Sequence, residues 1–204
     1  MTLLGKLIVF FPVLCYTLIM GCLYYSLEVN AFVGLGSLLF VCYFFPVIFF
    51  RVHNNFFPLK NNVTDIDAKE YRPWWGSYCI QRVYYDLPFL ESILRSLPGA
   101  YSFWLRLWGS KIGKHVHWSP LVEVCDRSLL TIGDHVVFGH RVVLISHAIT
   151  PIDKKNHLLV ERITIGSRSF IGAGSGIGPG CVVPDSSFLP LETRLLLRSK
   201  WKNE

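Results

Sequence analysis

The chain has 204 residues, room for one ordinary domain and an appendage, and its composition is lopsided: 51% hydrophobic, 15% aromatic, only 17% charged. The net charge of +6 is modest and unclustered, which suits anionic lipid headgroups or a phosphate-bearing ligand. There is no arginine-rich run or nucleic-acid motif, so nucleic acid is excluded as a partner.

The apolar excess lies at the N-terminus. Residues 7–27 and 29–50 carry no charge, and only Glu28 separates them. Each run is about 20 residues, enough to cross roughly 30 Å of hydrocarbon as a helix. A transmembrane helical hairpin over 1–52 is predicted, turning around Glu28, Val29 and Asn30. A cleaved signal peptide fits worse, because no small-residue cleavage site stands out and a second span follows at once. Pro12, Pro46 and the glycines at 21, 34 and 36 permit bends, so a hairpin dipping into one leaflet is the alternative. Lys6 precedes the first run, and Arg51, His53 and Lys60 follow the second. Positive charge on that side places both ends, and everything after residue 51, in the cytoplasm: an integral protein of the cytoplasmic (inner) membrane.

Residues 53–110 read as a linker with a turn-prone NNVTDID stretch, then an aromatic- and arginine-rich segment. Phe89, Leu90, Ile93, Leu94 and Leu97 share one helical face, with Glu91, Arg95 and Ser96 mostly opposite. Gly99 after Pro98 ends that helix. A second short helix presents Phe103, Trp104, Leu107 and Trp108 beside Arg106. Such helices either lie amphipathically in the headgroup region or cap the next domain with their aromatics.

From residue 111 the sequence steps by six. Ile112, Trp118 and Val124 form the first set of anchors; Ile132, Phe138 and Leu144 the second; Ile165, Ile171, Ile177 and Val183 the third. Glycine often follows the anchor, and a small residue comes four positions after it (Ser169, Ser175, Cys181, Ser187). A period of six is neither helical nor that of a plain strand. Each hexad is one short strand and its turn, and three make one triangular coil with the aliphatic anchor inward. Two breaks occur: a two-residue slip at Leu130 and Thr131, and an aperiodic loop at 150–164. The coil domain is placed at 111–194, followed by a basic tail at 195–204. The six cysteines show no CxxC pair or metal spacing and read as reduced packing residues.

The stretches IGKHVHWSP, LTIGDHVVFGHRVVLISHAIT and ITIGSRSFIGAGSGIGPGCVVPD resemble the hexapeptide-repeat acyltransferases of the left-handed parallel β-helix fold, among them sugar and polysaccharide O-acetyltransferases. The resemblance covers roughly residues 106–188 and leaves out the hairpin. It implies an all-β left-handed β-helix, here preceded by two transmembrane helices and short amphipathic interfacial helices. It also implies a homotrimer, with acyl-CoA, most simply acetyl-CoA, bound between neighbouring subunits.

Acyl transfer from a thioester needs a base, oxyanion donors and a slot for the pantetheine arm. His147, just before the loop, stands where the family's catalytic histidine lies, although in the sugar acetyltransferases that residue comes about two positions later, at Ile149 here. His157 inside the loop is the second candidate base. Asp126 matches a family carboxylate that orients the acceptor hydroxyl, and Glu123 is the candidate to orient the base. Ala173 and Gly174 correspond to the place where the family's backbone meets the pantetheine. Arg168, Arg198 and Lys200, with Arg194 and Lys202, are the cations for the cofactor phosphates. The usual further glycine-rich coil after VVPD is replaced by FLPLETRLLLRSKWK. His135 and His140 have the first spacing of a β-helix zinc hydratase, but two coils before His135 lies Gly99, outside the repeat, so no metal is expected. His115, one coil earlier, would instead stack on His135.

The expected function is a membrane-anchored acyltransferase with a histidine general base. It acts on a hydroxyl or amine of a bilayer-borne acceptor such as a lipid-linked sugar or glycolipid. A non-catalytic trimeric β-helix scaffold at the membrane is the alternative.

Overall fold

The computed structural model describes residues 2–202, which divide into two compact units: residues up to 59 with 69–90, and residues 60–68 with 91 onward. Helices make up about two fifths of the chain, and they precede a β-helix-like part built of parallel sheets.

In the first unit, α1 (Leu3–Ile8) and α2 (Phe11–Glu28) form the first apolar run, and α3 (Ala31–Tyr43) and α4 (Phe45–Phe56) the second. The runs break at Val9–Phe10 and at Phe44, and Pro12 and Pro46 sit at the second position of the helix that follows. Proline lacks the N–H that an unbroken helix would use and is accepted in a first turn, where that N–H has no partner. The stretches Leu3–Glu28 and Ala31–Phe56 are each long and apolar enough to cross a membrane by length and composition. Between them Asn30 caps α3, its Oδ1 accepting from the Val33 N–H at 3.0 Å. A further helix, α5 (Pro73–Asp86), packs on them, with Cys79, Ile80, Val83 and Tyr84 buried and the Tyr84 hydroxyl donating to the Cys42 carbonyl at 2.8 Å. The sequence reading missed α5 because its buried face mixes serine, glutamine and cysteine with aliphatics, which blurs the period of 3.6.

The second unit is built on three parallel four-stranded sheets. They are β2 (Lys111–Ile112), β5 (Leu130–Ile132), β10 (Ile163–Ile165) and β13 (Val182–Val183); β3 (His117–Trp118), β6 (Val137–Phe138), β11 (Phe170–Ile171) and β14 (Phe188–Leu189); and β4 (Glu123–Val124), β7 (Val143–Leu144), β12 (Gly176–Ile177) and β15 (Arg194–Leu195). Consecutive strands therefore lie in successive sheets, which makes a three-faced β-helix-like coil. The anchors stack inward in register: Ile112, Ile132, Ile165 and Val183 on the first face, with Trp118, Phe138, Ile171 and Leu189 on the second. The third carries Val124, Leu144, Ile177 and Leu195, and all twelve are buried. Ser169, Ser175, Cys181 and Ser187 fill the corners, also buried. Burial pushes the Cys181 thiol up, as expected of a packing residue.

The coil does not end at VVPD. Ser186, Glu192 and Arg198 adopt the left-handed conformation (φ 55°, 58° and 56°) that closes its last corners without glycine, and Lys200 pairs with Val182 inside the stretch read as a tail. The expected loop at 150–164 is largely a β-hairpin. β8 (His147–Ile152) and β9 (Lys155–Val160) pair antiparallel, closed by Asp153 and Lys154, both at positive φ. Its third strand is β1 (Asn62–Asp65), from the linker, which pairs with β9. That leaves β8 at the edge, where Pro151 costs no ladder bond.

Ahead of the coil lie α6 (Phe89–Ser96) and α7 (Ala100–Trp108). On α7, Tyr101, Trp104, Leu105 and Trp108 are buried, as a cap requires, while Phe103 is more than half exposed. Tyr101 meets Trp118 edge-on at 5.1 Å, the Trp118 indole N–H donates to Ser102 Oγ at 2.8 Å, and Trp118 stacks on Phe138 at 4.6 Å. On α6 the expected polar face is partly inward. Glu91 is buried and pairs with Arg127 at 2.7 Å, whereas Phe89, Ile93 and Leu97 are about half exposed.

Candidate active site: the Asp126–His147 pair

Residue spacing along the coil shows where the site comes from. On the first face 20 residues separate Ile112 from Ile132, 33 separate Ile132 from Ile165, and 18 separate Ile165 from Val183. An undisturbed turn takes 18, so the first two turns each carry an insertion. Both insertions fall at the same edge, between the third face and the first: residues 125–129 in one turn, and the hairpin with its flanks in the next. Two breaks far apart in sequence are thereby stacked.

Asp126 lies in the first insertion and His147 opens the second. Asp126 is buried, and its Oδ2 accepts two hydrogen bonds: the Ser146 backbone N–H at 2.9 Å and His147 Nδ1 at 2.8 Å. A carboxylate facing Nδ1 fixes the neutral tautomer with its proton there, so Nε2 keeps its lone pair. The His147 side chain is 22% exposed against 5% for Asp126, so the buried carboxylate holds a more accessible imidazole. This is a base held by an orienting carboxylate.

The surroundings clamp that corner. Ser146 Oγ donates to the Leu129 carbonyl at 3.1 Å, and the Arg162 guanidinium donates to the Leu130 and Ser128 carbonyls at 2.6 and 3.0 Å. Burial lowers the Arg162 pKa, yet its two carbonyl partners suit the charged form. Arg127, next to Asp126, is 2% exposed and ion-paired to Glu91, while its carbonyl accepts from Ser110 Oγ at 2.8 Å. Burial, and then the Glu91 charge, raises the pKa of the Tyr101 phenol, whose hydroxyl donates to Glu91 at 3.5 Å. Sequence reasoning named none of Ser146, Arg162, Arg127 and Glu91 for the site, because each acts through contacts 17 to 36 residues apart in sequence. The one available signal was Glu91, an acid on a helix face that ends up inside.

The other expected residues are distributed over the coil. Glu123 is exposed on the third face, where its carboxylate accepts from Cys125 Sγ at 3.7 Å; the carboxylate against the imidazole is Asp126. Ala173 and Gly174 lie at a different edge, between the second and third faces. Three other corners of that edge take the same left-handed turn with Leu121, Arg141 and Glu192, so the turn alone does not require glycine at 174. The missing side chain leaves the edge low there. Arg168 sits at the third edge, between the first and second faces, in one column with His115, His135 and Ser186, and its Nε donates to Ser186 Oγ at 3.3 Å. His115 and His135 stack at 4.9 Å. Arg198 shares the edge of the Asp126–His147 pair but is engaged with Glu161 at 2.6 Å; Lys200 is exposed beyond it. His157 lies in β9 opposite Thr150, and its Nδ1 donates to the Lys155 carbonyl at 3.1 Å.

The fold and this pair define a class: a three-faced parallel coil with a carboxylate-held histidine where the coil is interrupted. No family model matches the chain. It is 26% identical over 129 residues to the delta-poly-L-ornithine synthetase of Acinetobacter baumannii (strain AB307-0294), a match covering 58% of this chain and 9% of that protein. The chain thus spans about a tenth of the length of that curated relative. Among solved structures, serine acetyltransferase isoform 3 of Entamoeba histolytica, in complex with cysteine, aligns over 94% of this chain and 71% of its own at 15% identity and a TM-score of 0.21. The coil itself is established by this chain's own strand pairings.

Proposed function

We propose that the chain is a membrane-anchored acyltransferase in which His147 is the general base and Asp126 its positioning partner. The observation that carries this is the double anchoring of Asp126 Oδ2, by the Ser146 N–H and His147 Nδ1, which supports Nε2 as the nitrogen that takes the proton. In the reaction Nε2 takes the proton of an acceptor hydroxyl or amine as its oxygen or nitrogen attacks the carbonyl of a thioester donor, acyl-CoA. The carbon–sulfur bond breaks, and the imidazolium returns the proton to the departing thiolate. The Asp126 charge stabilises the imidazolium between the two transfers.

In one copy the His147 edge and the low Ala173–Gly174 edge are different corners of the coil, so a homotrimer with the donor between neighbours is part of the proposal. The outward column His117, Val137, Phe170 and Phe188, with the two phenylalanines stacked at 5.5 Å, supports such side-by-side packing. Arg198 and Lys200 are the donor-phosphate cations on the His147 edge, and Arg168 serves from the third edge. The apolar hairpin favours an acceptor that itself resides in the bilayer, such as a lipid-linked sugar or glycolipid, because anchoring raises its local concentration. An amine acceptor is favoured by one further finding: the curated relative is named for a poly-ornithine, a polymer whose links are amides.

Asp126→Asn tests the pairing. The new side-chain amide can place its oxygen where Oδ2 stood and still accept from the Ser146 N–H and His147 Nδ1, but it carries no charge to stabilise the imidazolium. Turnover in a thiol-release assay with acetyl-CoA falls by about 100-fold or more, the lower end of a general base's contribution, with little change in acetyl-CoA affinity. Undiminished turnover would remove Asp126 from the mechanism. The topology is tested separately by reporter fusions at residues 2, 30 and 202: only residue 30 is expected outside, and an external signal at 202 contradicts a cytoplasmic donor.

A further inference from the structure

The first unit contains a groove that the chemistry at His147 does not use. It lies between α1 with the start of α2 on one side and the end of α4 on the other. Its volume is ≈ 380 Å³, within the range of about 300–1,000 Å³ typical of small-molecule sites. Ile8, Phe11 and His53 form a buried floor, and Leu7, Leu14 and Val52 are walls each 46–60% exposed. The Phe11 and Phe49 rings, 4.5 Å apart, hold the two sides together. His53 is the one polar residue of the lining and is itself satisfied at one end, Nε2 lying 2.6 Å from the Tyr71 hydroxyl. Burial raises the Tyr71 pKa to about 12, so the phenol stays protonated and donates. Nδ1 is buried without a hydrogen-bond partner. Gly76 is the reason that this pair fits, because a Cβ there would collide with both the Tyr71 hydroxyl and the His53 ring.

Two features identify the occupant. Both flanking stretches are long and apolar enough to cross a membrane, so hydrocarbon rather than water lies at the mouth. Lys6 and Arg51 adjoin the lining residues Leu7 and Val52, and before Asp65 the only acidic residue is Glu28, at the opposite end of the hairpin; the exposed Glu70 stands beside Tyr71. Apolar walls with a cationic rim match a hydrocarbon chain bearing an anionic head.

We propose that this groove is a binding site for one anionic phospholipid of the surrounding bilayer, its chain along Leu7, Phe11, Leu14 and Val52 and its phosphate beside Lys6 and Arg51. The inference rests on the hairpin being membrane-embedded but not on acyl transfer.

The test uses the full chain in phosphatidylcholine nanodiscs doped with phosphatidylglycerol, read by native mass spectrometry after gentle detergent release. One phosphatidylglycerol per chain is expected to be retained, about tenfold in preference to phosphatidylcholine. Leu7→Trp and Val52→Trp fill the groove from exposed positions and abolish retention while leaving circular dichroism and assembly mass unchanged. Lys6→Gln with Arg51→Gln removes the preference for the anionic lipid. Equal retention by the wild type and the filled variants would overturn the proposal. So would a change of assembly mass in those variants, which would make a second copy the occupant, or displacement of the phospholipid by substoichiometric farnesyl phosphate, which would make it an acceptor site. A residue-30 fusion found inside identifies failure of the membrane reading, and turnover of the Leu7→Trp protein reports separately on the acyltransferase.

Discussion

His147→Ala lowers turnover by about 100- to 10,000-fold, or roughly 3 to 5.5 kcal/mol of barrier, the range a positioned general base supplies. The affinity for acetyl-CoA is expected to change little, because in the proposed reaction the imidazole takes the acceptor's proton and does not hold the donor's arm. The protein folds normally, since the His147 side chain is 22% exposed and its removal leaves no large cavity. Asp126 keeps the Ser146 N–H as a partner in the variant, so its charge is not stranded. His157→Ala is the matched control. Its ring lies on β9 with a bond to the Lys155 carbonyl, and its loss costs far less. Steady-state kinetics of the two variants decide the matter: near-normal turnover by His147→Ala removes it as the base. If both variants turn over normally, the trimeric scaffold becomes the better reading.

Glu91→Ala destabilises the second unit by about 3–5 kcal/mol, the cost of stranding a buried charge. Arg127 is 2% exposed and Glu91 5%, and the pair is 2.7 Å apart; Arg95 adds a second contact at 3.6 Å. The variant takes the carboxylate from the buried Arg127 guanidinium, which also lies 6.0 Å from the Trp104 ring. The measurement is urea unfolding of the detergent-solubilised chain, followed by tryptophan fluorescence, since the buried Trp104 and Trp108 report on this region. Ile93→Ala, on the exposed side of the same helix, shifts stability by no more than about 0.5 kcal/mol. Glu91→Leu combined with Arg127→Met recovers most of the loss, because replacing both charges strands neither. Coincident unfolding midpoints for Glu91→Ala and the wild type would show that the ion pair contributes nothing.

The two results are linked through one short peptide. Arg127 follows Asp126, so the ion pair to α6 fixes the corner from which Asp126 reaches His147. The coil's inward anchors do not supply that restraint, because the 125–129 insertion lies outside the six-residue period that sets them; Ser110, Ser146 and Arg162 add to it through backbone carbonyls.

Much of this protein was legible in its sequence, wherever the determinant was local. The hexad anchors are aliphatic or aromatic at every sixth position because a triangular coil buries one side chain per strand, and Ile112 through Val183 are all inward. The apolar runs and their breaks followed from composition and from Pro12 and Pro46. His147 stood out by its place before the interruption. What the sequence could not decide was which distant segments meet. That β1 completes the hairpin, that Glu91 turns inward while Ile93 and Leu97 turn out, and that Asp126 rather than Glu123 holds His147 are all set by the folded chain, the last of them by the stacking of two insertions on one edge. Periodicity fixes a residue's direction relative to its own strand or helix, but the partner it then finds depends on chain closure across tens of residues, and that is a property of the folded coil alone.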